Sequence, residues 1–222
     1  MTDMCVHYNP DSPENIRQKL QVDLPLSYPS ETWPGYRAPI VRRKKGARAE
    51  MEVLLARMGM IPPWAKDDAI GKKTYNARTE TVAEKPSFRH AWKAHQLCLV
   101  PMLGFYEPNW ETGKAVRWRI RRQDAQGFAV AGIWEWWKPA GQEAETSFSL
   151  LTINADGHDI MGRFHRPGDE RRSLVIIPED QYDAWLDADT EMARTFLSLA
   201  PLRDFTSEQA PQPKKGETAS LL

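Results

Sequence analysis

The sequence predicts a single α+β domain dominated by strands. Three observations carry that reading. Short segments rich in β-branched and aromatic residues fill the middle of the chain, brief amphipathic stretches flank them, and 222 residues suffice for one domain with a real core or at most two small ones.

Taken in order, residues 13–22 read as a short helix with Ile16 and Leu20 facing inward. Residues 23–39, rich in Pro, Ser and Gly, read as loop, and the basic run 42–48 as a solvated hairpin tip. Gly59 to Trp64 reads as a strand end entering a proline-fixed turn. Residues 79–85 and 88–94 read as helical, the second presenting Phe88, Ala91 and Trp92 on one side. Strands follow at 96–103 (closed by Gly104 and carrying Cys98), 116–121, 128–137, 147–153 and 173–177. In 116–121, Val116, Trp118 and Ile120 alternate strictly with Arg117, Arg119 and Arg121. Helices at 178–186 and 191–199 close the domain. From Thr206 the composition cannot bury enough surface to fold, so residues 206–222 read as a disordered tail.

Formal charge is zero, from 30 basic and 30 acidic side chains, which excludes polycation behaviour but leaves room for a local basic groove. Two cysteines, Cys5 and Cys98, are too few for a disulfide scaffold or a four-ligand zinc site, and a reducing, cytoplasmic setting is expected. No secretory signal is visible and no apolar run approaches membrane-spanning length. Of the nine tryptophans, most are expected in the core and a few as stacking platforms for bases.

Four local features could carry chemistry, each with a bland counterpart. Cys5, followed by His7, would offer a thiol and an α-amine on one residue if it were the chain terminus; otherwise it is an incidental cysteine. Asn76-Ala77-Arg78-Thr79-Glu80 groups an amide, a guanidinium and a carboxylate, or is plain capping. Glu107, emerging from an apolar strand between aromatics, would be desolvated and suited to proton transfer, or is a structural ion pair. His165 lies in a loop between strands, where it could act as acid, base or donor, or be merely solvated. His90, His95 and His158 have no comparable setting.

In this order the segments resemble the SRAP (SOS response-associated peptidase) family over roughly residues 5–186. The likeness rests on Met4-Cys5, on Met58-Gly59-Met60-Ile61-Pro62-Pro63-Trp64, on Asn76-Ala77-Arg78-Thr79-Glu80, on Pro101-Met102-Leu103-Gly104-Phe105-Tyr106-Glu107, and on the later His165. It implies a compact, antiparallel, barrel-like sheet with peripheral helices. It also implies a thiazolidine crosslink between an N-terminal Cys5 and the ring-opened sugar of an abasic site in single-stranded DNA. Asn76 would orient the reacting terminus, Glu107 shuttle protons and His165 bond the opened sugar's hydroxyl. Arg78 would meet a flanking phosphate and Trp64 stack on a base; separately, Arg117, Arg119 and Arg121 of the alternating strand are expected to line a single-stranded DNA groove, or else form a solvated face.

The sequence departs from the family pattern at Cys5-Val6-His7, where Cys-Gly-Arg is usual, at Met58 in place of tryptophan, and in a longer stretch from His165 to Arg172. Residues 1–4 precede Cys5, and a peptide nitrogen cannot form the imine, so the expected mature domain is 5–205 with the leader 1–4 absent. A monomeric, nucleoid-associated protein needing no cofactor or metal is expected, with lyase and self-cleaving activity in the response to DNA damage. Two other readings stay open: a thiol peptidase using Cys5, and a single-stranded DNA-binding module without chemistry.

Overall fold

A computed structural model describes residues 7–22, 27–139, 141 and 143–211 of the chain. Cys5, the leader 1–4 and residues 212–222 lie outside the described residues. So do the side chains of residues 47–49.

Eleven strands join in one sheet. At its heart five of them close a ring. Strand β7 (Phe128–Trp137) pairs with β8 (Glu145–Asn154), β8 with β3 (Ala47–Met58), β3 with β2 (Arg37–Lys44), β2 with β5 (Leu97–Asn109), and β5 returns to β7. The expected single α+β domain is thus present, and in place of the expected barrel-like antiparallel core the sheet is mixed and ring-like. Two parallel contacts, of β3 and β4 (Asn76–Arg78) with β8, interrupt an otherwise antiparallel sheet.

Period-two alternation sorts the ring's side chains onto two faces. Cys98, Val100, Met102, Val130, Phe148 and Leu150 point to one buried cluster. Leu97, Leu99, Ala129, Ala131, Ile133 and Leu151 point to the other. Helices cover this second face. It takes in Ala91 and Trp92 of α2 (Arg89–Lys93), Trp185 and Leu186 of α3 (Tyr182–Asp187), and Ala193 of α4 (Thr190–Thr195). Both faces of the central strands are therefore dry, which is why 128–137 reads as a near-continuous apolar run. Helix α1 (Pro13–Leu20) starts where expected, with Ser12 capping Asn15 N–H at 3.1 Å and Ile16 buried.

Several expectations are corrected. Strand β5 does not end at Gly104 but runs on to Asn109, carrying Glu107 inside a strand. Gly104 serves close approach instead: a Cβ there would lie 2.8 Å from the carbonyl oxygen of Ile120 on β6 (Val116–Arg122). Residues 79–85 form turns rather than a helix, because Thr79 N–H continues the pairing to Thr152 (2.9 Å) and single bonds such as Thr81 to Arg78 follow. The predicted closing helix 191–199 shortens to α4. The tail does not start at Thr206. Strand β11 (Phe205–Gln209) pairs with β6 from Phe205↔Arg122 to Gln209↔Trp118, so the folded unit extends past 205. The hairpin at 42–48 exists, with Gly46 at φ 86° in its tip, yet Arg42 is buried rather than solvated. The remaining strands are β1 (Tyr8–Pro10), β9 (Arg172–Leu174) and β10 (Ile176–Ile177).

Candidate active site

Strand β1 brings the N-terminal end of the described chain against β5. Tyr8 pairs with Phe105 and Asn9 with Gly104, and the N–H of Tyr106 donates to the carbonyl of His7 at 3.2 Å. The backbone of residue 7 is thereby fixed one strand position from Glu107.

The His7 side chain is fixed as firmly. Its ring lies between Trp33 (centroids 3.9 Å apart, planes 5° apart) and Tyr106 (4.5 Å, 13°). Arg117 Nε donates to His7 Nε2 at 2.7 Å, so Nε2 must carry the lone pair and the proton resides on Nδ1. Burial, reinforced by the Arg117 charge and opposed by Glu31, pulls the His7 pKa down to about 4. The ring is neutral at physiological pH. Arg117 spends its other nitrogens on Glu31 (2.9 Å) and the Ala210 carbonyl (2.9 Å), and its guanidinium lies 3.5 Å above the Tyr106 ring. These contacts are internal to the fold. This clamp, with Glu31 and Trp33, was not readable from local sequence; Trp33 sits in a stretch whose composition says only loop.

Glu107 and His165 meet in the interior. His165 Nε2 lies 3.5 Å from Glu107 Oε2, and both side chains are 2% exposed. Each comes from a rigid support. Glu107 is opposite Trp118 on β6. The His165 N–H donates to the Pro108 carbonyl at 3.0 Å, while Phe164 bridges to Asn109. His165 has φ 71°, a left-handed conformation that a residue with a Cβ adopts at a cost and that clusters at functional positions. Burial is the first cause lowering its pKa, with Arg171 and Arg172 adding to the effect, so the imidazole is neutral and available as donor or acceptor.

The loop bearing His165 is held by the Asn76–Glu80 segment. Arg172, itself 2% exposed, is gripped by both carboxylate oxygens of Glu80 (2.9 and 2.8 Å), by Glu170 (2.7 Å) and by the Thr152 carbonyl (2.6 Å). Arg78 pairs with Glu170 at 2.8 Å and stays 44% exposed. Asn76 is buried on β4 opposite Leu150. Glu80 thus acts as a brace, a role its motif position alone did not disclose. Trp64 is 59% exposed with Nε1 donating to the Pro86 carbonyl at 3.3 Å, leaving its ring face open. Arg119 is half-buried on β6, and Arg121 is paired with Glu208 of β11. Cys98 is fully buried, and burial pushes its thiol pKa up, which leaves it inert. His158 donates to the Ala200 carbonyl (2.9 Å) and accepts from two backbone N–H groups, a structural role.

A ring of strands holding a buried carboxylate–imidazole pair beside strand β1 defines a small α+β protein. Residues 4–211 match the family described as SOS response associated peptidase (SRAP), and the chain belongs to that family. It is 34% identical over 132 residues to the abasic site processing protein YoqW of Bacillus subtilis, the alignment covering 59% of this chain and 55% of that protein. It is 25% identical over 185 residues to the abasic site processing protein HMCES of Xenopus tropicalis, covering 73% and 54%. The matched part spans little more than half the length of these relatives. A crystal structure of a protein from Bordetella bronchiseptica superposes with a TM-score of 0.86 at 34% identity, over 94% of this chain and all of that one. A Bacteroides thetaiotaomicron structure shares the fold at TM-score 0.77 and 21% identity.

Proposed function

We propose that this chain processes abasic sites by covalent capture, with Cys5 as nucleophile. The observation that carries the proposal is the buried Glu107–His165 pair at 3.5 Å, set beside the strand that leads to Cys5. Relatives named as abasic site processing proteins support the abasic-site part of this reading.

The steps follow from the groups. The α-amine of Cys5 attacks the aldehyde of the ring-opened sugar, and water leaves to give an imine. The thiol then adds across the C=N bond, its proton going to nitrogen, and a five-membered thiazolidine closes. Glu107 serves as the proton carrier for loss of water, a role for a carboxylate within a dry site. His165, neutral, donates to the sugar hydroxyl freed by ring opening. Asn76 orients the Cys5 terminus by hydrogen bonding. Arg78 exchanges Glu170 for a flanking phosphate, Arg119 adds a second cationic contact, and Trp64 stacks on an exposed base of the single strand. The reaction needs a free α-amine on Cys5, hence removal of residues 1–4, and the family's peptidase description fits a single self-cleavage of the Met4–Cys5 bond.

The test uses a single-stranded oligonucleotide with one abasic site and protein beginning at Cys5, read on a denaturing gel. Native protein should give a stable shifted band. Cys5→Ala should give none, yet borohydride should still trap its imine, because reduction requires only the amine. A stable band from Cys5→Ala would overturn the assignment.

A further inference from the structure

At the opposite end of β5 from Glu107, ten strand positions and roughly 30 Å away, a groove of about 390 Å³ opens between the β2–β3 hairpin, the end of β7 and α3. Its wall is built from alternating charge and aromatic rings. The guanidinium of Arg42 lies 3.9 Å above the Trp134 ring and 5.9 Å from the Trp136 ring, and Lys45 Nζ lies 6.0 Å from Trp136 on the hairpin tip.

Arg42 is 8% exposed, and Nε is bound to Glu52 at 2.8 Å. Its two terminal nitrogens make no hydrogen bond among the described residues. A guanidinium held over an indole with its terminal fork unspent is organised for an oxyanion with two acceptor oxygens. Trp136, 48% exposed, presents a large ring to the same space. Glu135, the carboxylate in the wall, does not oppose an anion directly. It is 3% exposed, with one oxygen on His90 (2.6 Å) and the other on Gln96 and the Trp136 N–H (3.0 Å each), which steadies Trp136.

We propose that this groove binds a nucleotide unit, Arg42 taking the phosphate through its terminal nitrogens and Trp136 stacking the base, with Lys45 closing the anionic side. An aliphatic carboxylate would use the fork and leave the ring bare. A neutral aromatic would use the ring and leave the fork bare. A nucleotide satisfies both, and two sources supply one: a stretch of single-stranded DNA or a free mononucleotide. The site is independent of the crosslinking reading, since it needs neither Cys5 nor an abasic sugar.

The experiment titrates the full chain, carrying Arg78→Glu and Trp64→Ala to silence the other expected DNA contacts, with three probes: thymidine, thymidine monophosphate, and a short intact oligothymidylate. Quenching of tryptophan fluorescence reports binding. Trp136→Ala should weaken the phosphorylated probes roughly tenfold, the worth of a base–aromatic stack. Arg42→Lys, which keeps the charge and loses the fork, should weaken thymidine monophosphate and leave thymidine unchanged. Effects on both phosphorylated probes identify a nucleotide pocket, and effects on the oligonucleotide alone identify a strand contact; either supports the proposal. No binding by any probe, or affinities indifferent to both substitutions, would overturn it.

Discussion

His7 holds its place as a neutral ring, and that makes the site acid-sensitive in a calculable direction. Its folded pKa, about 4, lies below the ordinary 6.5. Between those values the unfolded chain binds a proton that the folded one refuses, so stability rises with pH through the window. The contribution is complete above about 6.5 and is lost as pH falls toward 4. It is of order 2 kcal/mol, less than the full shift because water screens part of the ring's field. Protonation would also set two cations together, His7 against Arg117, at the hydrogen-bond distance of 2.7 Å. Urea midpoints measured from pH 7 to 4 should therefore fall more for native protein than for His7→Gln, which has no proton to gain. Equal slopes would show that His7 is not the group responsible. Glu107→Gln, which keeps shape and burial, should slow crosslinking by roughly 10²–10⁴-fold with little change in DNA affinity. Single-turnover rates at saturating oligonucleotide measure this directly. Cys98→Ala should leave the rate intact, because a thiol buried at 0% exposure between strands cannot reach substrate.

The loop carrying His165 is anchored in the core by Ala155, Met161 and Phe164, and charge fixes its return into β9. Buried Arg172 joins the loop to Thr152 and to the partly exposed carboxylates of Glu80 and Glu170. Removing Glu80 leaves the buried Arg172 with Glu170 and the Thr152 carbonyl, so the cost falls below the roughly 3–5 kcal/mol of a buried charge left wholly unpaired. Glu80→Leu should accordingly lower both thermal stability and crosslinking rate, whereas Arg78→Gln should weaken DNA binding with a much smaller stability loss. Matching melting temperatures for these two variants would contradict the brace. This network also shows where sequence reading stops. Strand β7 is legible in its bounds, because burial on both faces of most of it leaves a near-continuous apolar and aromatic run, broken by Glu135. Asn76, Glu107 and His165 stand out in the sequence as separate features; the structure brings Glu107 against His165, while Cys5 lies outside the described residues. The contact that pairs Glu107 with His165 spans 58 positions and has no local signature. Gly104 misled because a glycine inside a strand and one ending it look alike until the facing Ile120 carbonyl is placed. The turns at 79–85 misled for a related reason: Thr79 takes a sheet partner, Thr152, that only the tertiary fold supplies.

At the scale of the whole molecule, β11 connects the far end of the chain to the candidate active site. It covers the outer edge of β6 over five residue pairs, and Phe205 packs edge-on against Phe128 at 5.0 Å. Just beyond it, the Ala210 carbonyl takes one of the three hydrogen bonds that orient Arg117, and Arg117 in turn sets the tautomer of His7. Residues whose composition suggests a disordered tail therefore contribute to aligning the strand that leads to Cys5. Cutting the chain after Asp204 should remove this support in two separable ways. Loss of the strand ladder should lower stability by about 1–3 kcal/mol, the net worth of a few exposed-edge hydrogen bonds. Loss of the Ala210 contact should let the Arg117 guanidinium swing toward Glu31 alone and loosen the His7 stack, slowing crosslinking at saturating DNA even where the shortened protein remains folded. Cutting after Pro211 keeps β11 and the Ala210 carbonyl, so it should change neither quantity. Ala210→Pro supplies the finer control: it keeps the carbonyl that Arg117 uses but removes the N–H that donates to the Arg117 backbone at 3.0 Å, so its effect should fall on stability more than on rate. If the chain ending at Asp204 crosslinks as fast as the one ending at Pro211, the C-terminal strand is a cover for the β6 edge and nothing more, and the alignment of His7 rests on Trp33, Tyr106 and Glu31.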